Sequence, residues 1–328
     1  MKPLAPVSAA LIRSAGALLT PRAPHAVLLV LIYHRVLERP DPLLQGEPDA
    51  KAFAAQMDLI KSVCRVLPLE EAIDRLGSGS LPQRAVSITF DDGYANNRTL
   101  AAPILKERNM PATVFVATGF LNGGCMFNDT IIESVRRAGP LLDLGELELG
   151  RFELTDDASR LNAIHVLLKA LKYRSPAERI ALAEAVATKI GAELPKDLMM
   201  TDTHVRELAD FGVSVGAHTV SHPILNSVGE ATARREIVDS RHILREMTGE
   251  PISLFAYPNG RPKTDYSAIH ARMVGEAGFK AAVSTAWGGA GVNTDRYQIP
   301  RMLPWDTRPL MFAARLMRTY WEQDAEIA

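Results

Sequence analysis

Cysteine is scarce: 328 residues hold only Cys64 and Cys125. They form no metal-ligand pattern and are expected to be two lone buried thiols rather than a pair. That usage leaves the redox compartment open, with the cytoplasm favoured over a membrane-associated or exported location. An excess of one charge is also missing. Lys+Arg 37 against Asp+Glu 38 gives a net charge of -1, and no stretch is strongly basic. Nucleic acid and anionic membrane surfaces normally need a concentrated positive patch, so neither is an expected partner. Nor is there an apolar run near the roughly 20 residues of a membrane span. Residues 4–19 are apolar and small, but Arg13 interrupts them and no small-residue cleavage site follows. The run 26–33 is far too short to span. We therefore expect residues 1–25 to be an N-terminal arm, amphipathic or loose, and 26–33 a buried strand. Repeats and low-complexity segments are absent as well. The oligomeric state is not legible.

What is present is a 47% hydrophobic chain with 23% charged residues, the balance of a soluble protein with a large core. Apolar β-rich runs alternate with helical patterns, the mark of βαβ units and a parallel sheet. Strands are expected at 27–33, 85–90, 112–117, 213–216, 252–257 and 280–284. Helices are expected at 50–63, 69–76, 96–108, 229–247, 265–277 and 308–321. The stretch 120–200 breaks the rhythm. It carries helical patterns at 127–138, 157–172 and 176–190 and at most a short ribbon at 147–154. The expected fold is α/β, one barrel-like domain over 26–328 with a largely helical insertion at 120–200.

Two segments carry chemistry. Thr89-Phe90-Asp91-Asp92-Gly93-Tyr94 ends a predicted strand, where functional side chains of parallel α/β folds collect. Adjacent carboxylates are costly without a positive neighbour. One can bind a metal while the other faces an attacking water, or the pair can simply form an Asp-Gly turn that caps a helix. The second segment, His218-Thr219-Val220-Ser221-His222-Pro223, again follows a strand. Imidazoles four positions apart can chelate one divalent ion, and Pro223 favours a turn over a helix at His222. One carboxylate and two imidazoles make a three-ligand site with open positions, which suits catalysis better than structure. A second carboxylate beside it suits general-base catalysis.

TFDDGY followed by HTVSHP resembles the polysaccharide deacetylase superfamily, carbohydrate esterase family four, over about 27–305 outside the insertion. The resemblance implies a distorted (β/α) barrel, a carbohydrate substrate and a divalent metal, zinc first, with cobalt, nickel or manganese as alternatives. It implies Asp91 as catalytic base and Asp92, His218 and His222 as metal ligands. Phe255-Ala256-Tyr257-Pro258-Asn259-Gly260 takes the place of the family's groove-lining Arg-x-Pro-Tyr-Gly segment. That adds Tyr257, Pro258 and Asn259 to the expected substrate contacts, with Tyr94 and Trp305, and a backbone N–H near Tyr94 or Asn259 as oxyanion donor.

Two departures from the family pattern need replacements. The arginine that steadies the base is absent, since Ala256 stands there, and Arg301 is the candidate to replace it. The late Leu-x-His motif is absent too. Tyr33-His34-Arg35 is similar to the early segment of the exopolysaccharide (poly-N-acetylglucosamine) deacetylase branch, which implies His34 as general acid. Asn128 and Asp129 are read first as helix caps and second as substrate contacts. The expected function is metal-dependent N-deacetylation of an aminosugar polymer or its precursor. The alternatives are a deformylase or other amide hydrolase on a lipid-linked sugar or small amide, and a catalytically inactive carbohydrate-binding protein.

Overall fold

The structure, a computed structural model, describes residues 20–328 except 305 and 307. Residues 1–19 of the expected N-terminal arm and Trp305 lie outside the described residues. Every side chain of β1 (Leu28–Tyr33) is buried, as both-face coverage of a parallel strand requires. Each such apolar side chain contributes about 1.5–3 kcal/mol on burial. The remaining strands are β2 (Arg65–Val66), β3 (Ala85–Phe90), β4 (Ala112–Val116), β5 (Leu141–Asp143), β6 (Arg151–Glu153), β7 (Val213–Ala217), β8 (Leu254–Ala256), β9 (Ala281–Trp287) and β10 (Ile299–Arg301). The main sheet runs β1-β3-β4-β7-β8-β9-β10, all parallel, with β2 beside β3. It curls until its ends meet: Ile32 N donates to the Met302 carbonyl at 3.1 Å, and Met302 N to that of Val30 at 2.8 Å. The result is a nearly closed seven-stranded barrel.

Helices cover it: α1 (Ala50–Val63), α2 (Leu69–Gly77), α3 (Ala102–Glu107), α4 (Phe127–Arg137), α5 (Asp157–Leu171), α6 (Pro176–Ile190), α7 (Asp202–Glu207), α8 (Glu230–Thr248), α9 (Ala268–Glu276) and α10 (Pro309–Thr319). Alternate β1 residues serve different cores. Leu28 and Val30 join Phe115, Ala256 and Val283, while Leu29 and Leu31 join Phe53, Met57 and Phe312 from α1 and α10. α1 begins where Asp49 caps it, accepting from Ala52 N at 2.6 Å.

Four features differ from the sequence expectation. The helix at 96–108 opens as a π-turn over Asn97–Ala101, and the regular ladder resumes around Pro103, which has no N–H to donate. β10 contains Pro300, which argues against a strand in sequence, and it survives as a three-residue segment. The ribbon pairs β5 with β6 rather than lying wholly within 147–154. Cys64 and Cys125 are unpaired as expected, but both are half-buried rather than fully buried.

Between β4 and β7 lie α4, the β5–β6 hairpin, α5, α6 and α7. This lobe has its own core, built from residues such as Ile131, Val135, Leu142, Leu154, Ile164, Leu167 and Val186. No helix among the described residues is long and apolar enough to cross a membrane.

Candidate active site

The strand ends converge on a cavity of about 480 Å³. β3 delivers Asp91 and Asp92, β7 delivers His218 and His222, and β1 delivers His34. Asp92 takes a left-handed backbone (φ 74), which Asp tolerates, and Gly93 follows at φ 89, so the chain reverses at once after the pair. The two carboxylates diverge as a result.

Asp92 turns to the imidazoles. Its Oδ1 lies 3.4 Å from Nε2 of His218 and 3.4 Å from Nε2 of His222. One donor atom from each residue lies within 4.8 Å of the others. A spacing of 3.4 Å suits two donors each about 2.1 Å from one tetrahedral ion, so the residues fit a divalent metal. The backbone fixes the imidazole of His218, whose Nδ1 lies 2.7 Å from the Ala256 carbonyl. A carbonyl only accepts, so Nδ1 carries the proton and Nε2 offers its lone pair to the cluster. Ala256, the residue in place of the family's arginine, thus supports a ligand through its main chain. Burial lowers the His222 imidazole to about 3, outweighing the attraction of Asp92, so it is neutral and ready to ligate. Burial alone would raise the Asp92 carboxyl, but the two imidazoles that face it, His218 first, outweigh this and bring it well below the ordinary value.

Asp91 turns the other way. Arg301 grips it with both arms, Nη1 to Oδ1 and Nη2 to Oδ2, each at 2.7 Å. The guanidinium is itself fixed by the Ser284 carbonyl at 2.8 Å and by Thr89 Oγ1 at 3.2 Å. Both charges are buried. Burial pushes the Asp91 carboxyl up, and Arg301 followed by His218 brings it below the ordinary value. The structure thus sets the Arg301 guanidinium against the Asp91 carboxylate.

The His34 ring lines the same cavity, with Nδ1 3.9 Å from Oε1 of Glu47. Glu47 accepts from Arg35 N at 3.0 Å, and burial raises its carboxyl against the pull of His34. Asn259 and Tyr94 also line the cavity. Tyr257 and Pro258 do not. The Tyr257 ring stacks on Tyr266 at 3.8 Å and its hydroxyl donates to the Tyr297 carbonyl at 2.9 Å, so an apolar core claims the side chain. Asn128 and Asp129 are not caps, because Met126 occupies the N-cap of α4 and makes no side-chain bond there. Both line the cavity instead.

Sequence reasoning missed several supports. Glu236 of α8 accepts from Val220 N and Ser221 N at 2.8 Å each, pinning the turn between the histidines. Arg179 of α6 donates to the His222 carbonyl at 3.3 Å and lies 4.4 Å over the Phe127 ring. α5 brings Leu168, Lys169 and Lys172 to the cavity wall. None belongs to a motif, and only a buried arginine in a helical stretch could have drawn notice.

Comparison with known proteins agrees with this layout. The sequence model described as polysaccharide deacetylase matches residues 78–141 and 167–282, more than half of the chain. Only 142–166 of the helical lobe falls outside, so the family match enters the lobe further than expected. His34 and Arg301 both lie outside it. The poly-beta-1,6-N-acetyl-D-glucosamine N-deacetylase of Staphylococcus epidermidis is 30% identical over 160 residues, 44% of this chain and 52% of that protein. The chain spans about half the length of the curated relatives it matches. Among solved structures, the Streptococcus pyogenes deacetylase PplD, determined with acetate, superposes with a TM-score of 0.59 at 20% identity, covering 90% of this chain and 99% of that one. IcaB from Ammonifex degensii gives 0.56 at 20% identity, covering 89% and 97%. The barrel is therefore shared beyond any close sequence likeness, and the matched segments contain both motifs that shape the cavity. The chain belongs to the polysaccharide deacetylase family.

Proposed function

We propose that the protein hydrolyses the N-acetyl group of an aminosugar in a polysaccharide or its precursor. The observation that carries this reading is the division of labour between the adjacent carboxylates. Asp92 joins two imidazoles as a ligand set, and Asp91, held by Arg301, is left free to act on a proton. A divalent ion at Asp92, His218 and His222 would supply Lewis acidity toward the acyl oxygen and make a nearby water more acidic. Asp91 takes the proton of the attacking water on a carboxylate oxygen. Each oxygen keeps a lone pair beyond the one that Arg301 engages. Arg301 keeps the base ionised and aimed. As the carbon–nitrogen bond breaks, His34 delivers a proton to the departing nitrogen, because an amine anion is a very poor leaving group. Glu47 would orient that imidazole. Acetate and the free amine are the products.

A deformylase or small-amide reading keeps this chemistry and changes the acyl group. The apolar wall formed by Leu44, Phe127, Ile132 and Leu168 gives it support, since it could accept a lipid-linked sugar. Formate against acetate release distinguishes the two. The reading as an inactive binding protein drew on the missing arginine, and Arg301 beside Asp91 weakens it. The test is acetate release from N-acetylglucosamine oligomers by zinc- or cobalt-loaded protein. Release that Asp91→Asn abolishes supports deacetylation, and its absence from folded, loaded protein counts against it.

A further inference from the structure

Asp129 plays no part in the chemistry above, yet it is one of the most buried carboxylates in the protein, at 2% exposure. α4 presents it to the wall of the active-site cavity. Its Oδ2 accepts from the Tyr94 hydroxyl at 3.0 Å. Its Oδ1 lies 3.7 Å from Nη1 of Arg35, beyond hydrogen-bond reach. Arg35 is held over the Tyr94 ring at 4.7 Å, and its Nε is buried without a partner. Asn128 Nδ2 points to the Tyr94 hydroxyl at a loose 3.4 Å. A carboxylate oxygen and a guanidinium thus stand side by side in the cavity, each with hydrogen-bonding capacity that the protein does not use. Of these atoms only Arg35 Nε is both buried and unpartnered, so Asp129 Oδ1 and the Arg35 Nη groups stay open to a ligand.

From this juxtaposition we infer that Asp129 and Arg35 form a subsite for two neighbouring ring hydroxyls of the sugar, one donating to Asp129 and the other accepting from Arg35. A vicinal diol offers both roles at adjacent carbons, which an acyl chain or a flat apolar ligand does not. The inference rests on the carbohydrate reading of the site and makes Asp129 a specificity residue. Burial raises the Asp129 carboxyl to about 7 against the pull of Arg35, which agrees with a group whose surroundings are incomplete without ligand.

The test uses the full-length protein with Asp91→Asn to prevent turnover. Affinity for an N-acetylglucosamine trimer and for its monodeoxy analogues is measured by calorimetry and ligand-observed NMR. We expect Asp129→Asn to weaken the trimer about ten- to a hundredfold, as for a lost hydrogen bond to a charged group. Removing one particular hydroxyl should cost as much on the parent and little more on Asp129→Asn, because the two changes delete the same contact. Arg35→Gln should single out the neighbouring hydroxyl with Asp129 in place. The deoxy series on the parent needs no variant at Asp129, so poor folding cannot mimic the result. Equal binding of all deoxy analogues, or strictly additive losses, overturns the subsite, as does failure to bind any of these sugars.

In parallel, Asp129→Asn in the otherwise wild-type enzyme should raise KM with kcat kept within a few-fold. Acetate release with unchanged KM overturns the subsite and leaves deacetylation standing. Asp129-dependent binding without acetate release leaves the subsite standing and removes deacetylation.

Discussion

The two walls of the cavity differ in how they are built. On the barrel side, Asp91, Asp92, His218 and His222 sit at or just beyond ends of parallel strands, where the Ala256 carbonyl holds His218, Arg301 holds Asp91 and Glu236 holds the turn between the histidines. On the lobe side, Phe127, Asn128, Asp129, Leu168 and Lys172 come from helices, and their place depends on how those helices dock. Side chains do that docking, chiefly Arg179 between Phe127 and the His222 carbonyl. In the proposed function the first wall carries the reaction and the second meets the rest of the ligand. The first wall is therefore fixed mainly by the strands that carry it, and the second by how the lobe helices pack.

Breaking the barrel wall should have the largest effect. His218→Ala removes one of three donors, and zinc affinity by competition with a chelator should fall by well over a hundredfold, with the fold retained by circular dichroism. Next in size is Arg301→Ala. It leaves Asp91 as an unpaired buried charge, so stability should drop by about 3–5 kcal/mol in denaturant unfolding. Turnover should fall at least a hundredfold, while zinc stoichiometry stays at wild type. Unchanged turnover would remove Arg301 from the mechanism.

Across the join between the walls, Arg179→Ala should loosen the His222 turn and lower zinc affinity about ten- to a hundredfold, the size seen for groups that support ligands. Arg179→Lys should restore part of it. A loss of stability with no loss of zinc affinity would mean that the lobe and the metal site are independent.

The lobe wall alone is tested through pH, one unit at a time. In metal-free protein, Asp129 keeps a proton when folded up to about 7, whereas an ordinary Asp releases it near 3.8. Between those values the folded state binds more protons, so stability falls as pH rises, by on the order of 1.4 kcal/mol per pH unit at most. Asp129→Asn should flatten that slope, which unfolding curves at pH 4 to 8 would reveal.

The same contrast explains what the sequence made legible. β1, β3 and α1 were readable because unbroken apolar runs and a 3.6-residue pattern encode them locally. Asp91, Asp92, His218 and His222 were readable because both pairs fall at strand ends in compact motifs. Arg301 followed from a gap, since a buried Asp91 without the family's arginine needs another cation. Tyr257 misled because motif position says nothing about which way a ring turns, and a stacking partner at Tyr266 decides it. Asp129 looked like a cap because Asn and Asp near a helix start usually are, but Met126 holds the N-cap and Asp129 falls within the first turn of α4. β10 was hidden by Pro300, and the supports from Glu236 and Arg179 by their distance along the chain.

The most direct test of the central claim is acetate release from N-acetylglucosamine oligomers by zinc- or cobalt-loaded protein, beside loaded Asp91→Asn of equal metal content. The account predicts release by the first and a loss of about a hundred- to ten-thousandfold in the second, the span of general-base catalysis. Equal rates from both, or no release of acetate from folded and loaded wild type, would contradict it.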